Sequence, residues 1–375
     1  METYRISSTL NEKDREYLIQ TVNDANEGAV RTTVYVNGIR AESVACPHPQ
    51  TIDPERILTL VKLTHGEKKK ELELLLKAYR RVFELNDIKV MFQLGSAFFY
   101  KGFFEEAREL FATVTRLQED HHQAYHYLGQ ANLELGRLQE ALAAATKAVS
   151  LRPGFADYRN TMGEVHLANN DWQAAMTEFE TATSINLYYA DAYFNLGLAV
   201  LLQAMSLHDR AKMPMQVQRI VDCLNKASLI DPEFRGDVLN GAIEALRNHD
   251  FTTALSTLKG LSDQKKERHR RDFSNLYMRF VLHPEWVSDQ VVSERIKFLE
   301  EEIRKNPNYV DLMAELAHCY LEQARLHWQK GVEQYKKTLD VNPGLKQVRE
   351  IVDDAEATFQ TINRTLDALS ARELG

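Results

Sequence analysis

"MFQLGSAFFYKGFFEEARELF" at 91–111, "YHYLGQANLELGRLQEALAAA" at 125–145, "RNTMGEVHLANNDWQAAMTEF" at 159–179 and "YFNLGLAVLLQ" at 193–203 are four versions of one pattern. Gly95, Gly129, Gly163 and Gly197 lie 34 residues apart, and Ala107, Ala141 and Ala175 follow the first three glycines at a distance of 12. Such fixed self-similarity is the mark of a repeat architecture. The spacing suits two antiparallel helices per unit. A glycine on one and an alanine on the other remove bulk where the backbones cross, while the larger apolar residues fill the sides. Proline cannot continue a helix, so Pro153, Pro232, Pro307 and Pro343 are placed to turn the chain toward the next unit.

Working outward, the 375 residues fit two or three domains or one long array. A content of 44% hydrophobic and 27% charged residues fits a folded chain, and 16 glycines with 9 prolines favour long helices over a loop-rich β fold. The formal net charge of -8 argues against nucleic acid as the main partner, since phosphate binding needs clustered Lys and Arg. Cys46, Cys223 and Cys319 are few, distant and odd in number, which reads as a reducing compartment without a disulfide framework. The first residues, METYRISSTLNEKDREY, hold no apolar stretch of signal-peptide length. No segment approaches the length needed to span a bilayer, so the expectation is a cytoplasmic chain without membrane insertion.

These residues resemble the tetratricopeptide repeat family, whose 34-residue pattern holds a large residue, Leu-Gly, an aromatic, Ala, an aromatic, Ala and Pro. Repeat one, 88–121, supplies Met91, Leu94, Gly95, Phe98, Ala107 and Phe111, with Glu119 where proline is usual. Repeat two, 122–155, supplies Tyr125, Leu128, Gly129, Ala141, Ala148 and Pro153. Repeat three, 156–189, has Gly163, Ala175, Phe179 and Ala182, with Leu187 replacing the proline. In repeat four, Gly197 to Pro232 is 35 residues against 24 from Gly129 to Pro153, an 11-residue insertion expected to lengthen or break the turn between its helices. Repeat five, 235–268, keeps Ala242, Ala245 and Ala254; a sixth is recognisable by "VVSERIKFLEEEIRKNP". A seventh recovers Leu316, Ala317, Tyr320, Tyr335 and Pro343.

The resemblance implies a mainly α fold, a right-handed superhelical solenoid of helix-turn-helix repeats over 88–343, with a concave face lined by the first helix of each pair. Residues 1–50 do not follow the repeat. "EYLIQTV" and "AVRTTVYV" read as strands and "VNGI" at 36–39 as a hairpin turn, giving a small β-meander near 17–23, 29–36 and 39–45, with a further strand near 3–8. Residues 51–87 are expected as N-terminal capping helices over that sheet. Over 344–375, Leu345, Val348, Val352, Ala355, Phe359, Ile362, Leu366 and Leu369 form a heptad seam. It serves either as a cap on the last repeat or as a homo-oligomer contact.

For function, the resemblance implies a non-enzymatic interaction scaffold or adaptor that binds a protein or peptide segment in its groove. Inner-face positions of the first helices are the second, fifth, ninth, twelfth and thirteenth of the repeat. They include Lys89, Phe92, Ser96, Phe99 and Tyr100, then Gln123, His126, Gln130, Leu133 and Glu134. They continue with Asp157, Asn160, Glu164, Leu167 and Ala168, and Asp191, Phe194, Leu198, Leu201 and Leu202. Of these, Phe92, Ser96, Phe99, Tyr100, His126, Gln130, Asn160, Glu164, Phe194, Leu198 and Leu201 are the candidate partner-binding groove, with aromatics as anchors. Packing against the chain's own ends is the other reading of Phe92, Phe99 and the repeat-four leucines. Family members that grip acidic chaperone tails use a Lys, Asn and Arg clamp that this sequence lacks, so that role is not expected.

No cofactor is expected, since the glycines do not cluster into a nucleotide loop. His121, His122 and His126 bring no further ligand for a metal. "CPHP" at 46–49 reads as a strand exit in preference to a Cys46–His48 catalytic pair. "KKERHRR" at 265–271 either docks an acidic partner or RNA or forms a solvated face, and the solvated face is the expectation.

Overall fold

The computed structural model describes residues 4–24, 28–49, 53–207, 213–277, 289–305 and 310–373; the side chains at 207, 213, 214, 272–277, 290, 291, 294, 298, 302, 305, 310–312, 314, 315, 318 and 365–373 are outside the described set. The chain divides into two compact units, one of residues 1–144 with 267–277 and the other of 145–266 with 278–375.

The first unit opens with an antiparallel meander of β1 (Arg5–Glu12), β2 (Arg15–Asp24), β3 (Ala29–Val36) and β4 (Ile39–Pro47), in that spatial order. Asn37 and Gly38, at φ 49° and 81°, give the two left-handed residues that the expected tight hairpin turn requires. Alternate residues of β2, namely Tyr17, Ile19, Thr21 and Asn23, are buried. Their cover is α1 (Pro54–Leu85), capped by Asp53, whose carboxylate accepts from Glu55 N. The sequence reading of several capping helices is corrected here to one 32-residue helix. Gly66 does not break it, since a lone glycine weakens a helix without ending it.

Two polar networks fasten sheet and α1 to repeat one. Arg15 on β2 reaches Glu106 at 2.9 Å, and the Tyr17 hydroxyl donates to the same carboxylate, which is fully buried. Glu42 on β4 meets Lys68 at 3.1 Å and Lys101 at 3.2 Å, and both lysines also pair with Glu71. Burial opposes ionisation of Glu71, yet Lys101 and Lys68 pull its carboxyl down to about 2. Gly102 sits at φ 79° where a Cβ would lie 2.5 Å from the Ala41 carbonyl oxygen, so conformation and space both require glycine there.

The helix pairs keep the sequence register. α2 (Ile88–Tyr100), α4 (His122–Glu134), α6 (Ala156–Ala168) and α8 (Ala190–Leu207) start 34 residues apart, as do α3 (Phe104–Leu117), α5 (Leu138–Leu151) and α7 (Trp172–Ile185). In the first unit a Cβ on Gly95 would sit 2.8 Å from the Phe111 ring; in the second, one on Gly163 would sit 2.5 Å from Phe179. The glycines therefore make room for the ring of the partner helix. The turns from α3 and α7 to the next pair form without proline: His121 N donates to Gln118 O and Tyr189 N to Asn186 O, as Phe155 N does to Arg152 O beside Pro153.

Within each pair the break depends on one left-handed residue seven positions after the small residue. Gly102, Gly136, Asn170 and His249 hold φ of 79°, 70°, 61° and 60°. Each closes its helix with the same bonds, as where Phe103 N donates to Phe98 O and Gly102 N to Phe99 O. In repeat four the equivalent is Ala204, and α8 runs on to 18 residues, with α9 (Met213–Ile230) also 18. The insertion thus goes mainly into longer helices; its residues 208–212 lie outside the described set.

After a short 3-10 turn (Pro232–Phe234) come α10 (Asp237–Arg247) and α11 (Phe251–Tyr277). α12 (Asp289–Lys305) follows, and Pro307 lies outside the described residues. The seventh unit, expected as a helix pair, is one continuous helix, α13 (Val310–Val341). Its turn position is Ala324, a strong helix former that resists left-handed geometry. α14 (Lys346–Glu373) lies along α13: Val352 is buried and the Trp328 indole donates to Ala355 O at 3.0 Å. Leu366 and Leu369 of the seam fall among the undescribed side chains.

Two outcomes follow from this packing. Gly163→Ala should lower the urea midpoint followed by circular dichroism, because overpacking of about 1–3 kcal/mol outweighs the roughly 0.5–1 kcal/mol gain in helix propensity. At Gly197 a Cβ meets nothing nearer than 3.4 Å, so Gly197→Ala should be neutral or stabilising. His65 is buried between Ser8 Oγ at 2.8 Å and Thr21 Oγ1 at 3.0 Å, and burial, with Lys69 adding to it, holds its pKa below the usual value. The unfolded chain then binds the proton more readily, so stability should be full above the ordinary imidazole value of about 6.5 and fall as pH drops below it. Midpoints measured against pH should fall less steeply in that window for His65→Asn.

Candidate functional site

The candidate surface is the set of inner-face positions on the first helices of the pairs. In the first unit, Phe92 is 7% exposed and packs on Phe111 (ring centroids 5.6 Å), His121 (4.8 Å) and Tyr127 (5.8 Å). Phe99 is 8% exposed among Tyr100, Phe104 and Tyr127. Ser96 is buried with its hydroxyl donating to Phe92 O, and His126 is buried beside Tyr127. Tyr100 and Gln130 are half-buried, and the Tyr100 hydroxyl lies 2.8 Å from that of Tyr127.

In the second unit, Phe194 is buried and stacks on Phe234 at 4.6 Å, and Leu198 and Leu201 are buried in the same core. Asn160 is buried and accepts from Asn195 Nδ2 at 3.1 Å, while Glu164 is half-buried. The aromatic and aliphatic candidates are therefore committed to packing, and the polar ones carry the accessible chemistry.

What engages those polar positions is α11. In the first unit, Arg270 reaches Glu134 at 3.5 Å and lies over the Phe104 ring at 5.4 Å, and the His269 ring meets Tyr100 at 6.5 Å. In the second unit, Lys265 bridges Asp191 at 2.5 Å and Asp231 at 2.8 Å and covers the Phe234 ring at 4.4 Å. Lys266 pairs with Glu164 at 2.8 Å. Tyr100, Glu134, Glu164 and Asp191 all occupy inner-face positions of the repeat register.

The run "KKERHRR" is mostly exposed, as a solvated face is, with Lys266 to His269 and Arg271 open to water; yet the Lys265 side chain is only 15% exposed and three of the run's cations pair with inner-face acids. Local sequence does not show a partnership 74 residues long. The available signal was complementarity between a basic run and acids recurring at inner positions.

The other candidates have structural roles. His121 Nδ1 accepts from Ala124 N and caps α4, and His48 Nε2 lies 2.9 Å from Asn23 Oδ1. Cys46 is half-buried on β4. Among the described residues no group of three or more His, Cys, Asp or Glu is placed to hold a metal ion, and no helix is long and apolar enough to cross a membrane.

Residues 92–154 match the family model described as "Tetratricopeptide repeat". The chain contains tetratricopeptide repeats. Over 92 residues it is 32% identical to the Hsp70-Hsp90 organizing protein of Triticum aestivum; the match takes in 24% of this chain and 16% of that one, so it spans about a sixth of the relative's length. Among solved structures it is similar to TTC0263, a thermophilic tetratricopeptide repeat protein of Thermus thermophilus, at 19% identity, over 51% of this chain and 99% of that one, with TM-score 0.38. YrrB, a tetratricopeptide repeat protein with an unusual peptide-binding site, gives 15% identity, 52% and 97% coverage and TM-score 0.35.

The pairing around α11 should be unequal in stability. Lys265→Met leaves Asp231, which is 4% exposed, without its cation. We expect a loss of about 2–3 kcal/mol, short of the roughly 3–5 for a fully buried pair because Asp191 reaches water. Lys266→Met removes a half-exposed cation, and the loss should be about 1 kcal/mol or less. Urea unfolding of the two variants, compared at one pH and salt, reads the difference.

Proposed function

We propose that the chain is a non-enzymatic interaction scaffold whose tetratricopeptide repeats take a segment of a partner protein on the inner face of their first helices. The observation that carries this reading is that Glu134, Glu164 and Asp191, at inner positions of successive repeats, already hold cations of a polypeptide helix. The binding positions are Tyr100, Gln130 and Glu134 in the first unit and Glu164 and Asp191 in the second. Phe92, Phe99, Phe194, Leu198 and Leu201 set the shape of that surface from beneath, with Ser96, His126 and Asn160.

The relative that organises Hsp70 and Hsp90 raises the question of an acidic chaperone tail. Acids at Glu134, Glu164 and Asp191 repel such a tail, and the Lys, Asn and Arg clamp is missing, so the partner is of another kind. The heptad seam of α14 supports a capping role, since Val352 and Ala355 are used against α13.

The test is recovery from native lysate on the wild-type chain and on Glu134→Lys/Glu164→Lys, with Glu140→Lys as an exposed control and helicity checked for each. A partner held by wild type and the control and lost from the inner-face variant is the expected result. Equal recovery on all three baits would overturn the reading.

A further inference from the structure

One face of α1 is buried and the opposite face is bare. Val61, Leu72, Leu75, Leu76, Tyr79 and Val82 lie in the core, while Leu63, Leu74 and Leu85 are 57%, 55% and 66% exposed. The three leucines are 11 residues apart. Eleven residues make close to three turns of an α-helix, so a nearly straight helix carries all three on one line. Glu67, Lys70, Lys77 and Arg81 fall on the same line, reached in steps of three and four. A single exposed leucine is ordinary; three in register over about 33 Å of one helix form a stripe.

The charges of that stripe are unmatched. Elsewhere on α1, Lys69 pairs with Glu73 and Arg80 with Glu12. The side chains of Glu67, Lys70, Lys77 and Arg81 have no ionic or hydrogen-bond partner among the described residues. Lys77 and Arg81 stand one turn apart with like charge, a local cost that a facing acid relieves. The stripe can supply that acid itself. Leu74 is midway between Leu63 and Leu85, midway between Glu67 and Arg81, and midway between Lys70 and Ala78. An antiparallel copy turned about Leu74 therefore sets leucine on leucine and acid on base, with no like charges opposed.

We infer that α1 is a self-association surface: two copies of the chain pair α1 with α1, antiparallel, about a two-fold axis through Leu74. Leu63 then meets the second copy's Leu85, and Glu67 meets its Arg81. Such a contact uses the same patch on both copies and closes after two. The occupant is a second copy because the pattern is symmetric in both apolar and charged positions, a symmetry that a foreign helix does not require. A lone helix pair stands at the low end of interface size, below about 1,200 Å², where contacts are weak or transient. The contact lies on α1 of the first unit alone and is independent of the scaffold reading.

Sedimentation velocity of the full chain over about 1–100 μM, a range that brackets a micromolar contact, should show a monomer–dimer equilibrium. Arg81→Glu alone, or Glu67→Arg alone, puts two like-charged pairs in each dimer and should weaken it at least about tenfold. Glu67→Arg/Arg81→Glu together restores opposite charges and should return the wild-type constant. These positions face away from the core, and circular dichroism checks the fold of each variant. Cross-linking reads the same register without a change of charge. Leu74→Cys should link to itself on mild oxidation, and Leu63→Cys and Leu85→Cys should link only when mixed, above the background set by Cys46, Cys223 and Cys319 in the wild type. A monomer across the whole range would overturn the proposal and leave the stripe to a helix of another protein. A dimer that ignores the single charge changes, is not restored by the double, or fails to link through Leu74→Cys forms on another surface and overturns it equally.

Discussion

Where the first helix of a pair ends is set in this chain by a single backbone conformation. Seven residues after the small residue of each repeat, a left-handed φ lets the helix close its last carbonyls and the chain fold back. Gly102, Gly136, Asn170 and His249 adopt it; Ala204 and Ala324 do not, and there the helices lengthen. The side-chain packing follows from that choice. Only a chain that turns back brings Phe111 over Gly95, or Phe179 over Gly163, close enough for the missing Cβ to matter.

The same logic governs what is left for binding. Phe92 and Phe99 in the first unit and Phe194 in the second are buried against neighbouring helices, so the inner-face positions that stay accessible are polar. Tyr100 and Glu134 in the first unit meet His269 and Arg270, and Glu164 and Asp191 in the second meet Lys266 and Lys265. The inner-face chemistry is therefore electrostatic with aromatic support, and its apolar part belongs to the core.

Much of this was legible in the residues. The four glycines at equal spacing set the register, Asn37-Gly38 located a hairpin, and the alternation in β2 named the buried face. The continuous helix α13 is not legible in the repeat pattern, because Leu316, Ala317, Tyr320 and Pro343 match it while Ala324, at the turn position, lies outside the residues that define it. Phe92, Phe99 and Phe194 lie on the first helices, as the register has them, and are buried there: a register tells which way a residue points and not what a neighbouring helix lays on it. The role of Lys265 depends on acids 34 and 74 residues away in Asp231 and Asp191, and that of Lys266 on Glu164, distances at which charge pattern carries no local signal.

The fastening of the sheet to repeat one has a consequence for the order in which the chain can mature during synthesis. Arg15 and Tyr17 are made early, yet the carboxylate that serves both, Glu106, arrives about ninety residues later. Until then α1 can cover Thr21 through His65, but the other end of the β2 face lacks the carboxylate that Arg15 and Tyr17 share. The emerging N-terminal module is thus a half-finished structure on the ribosome, and the first tetratricopeptide repeat completes it.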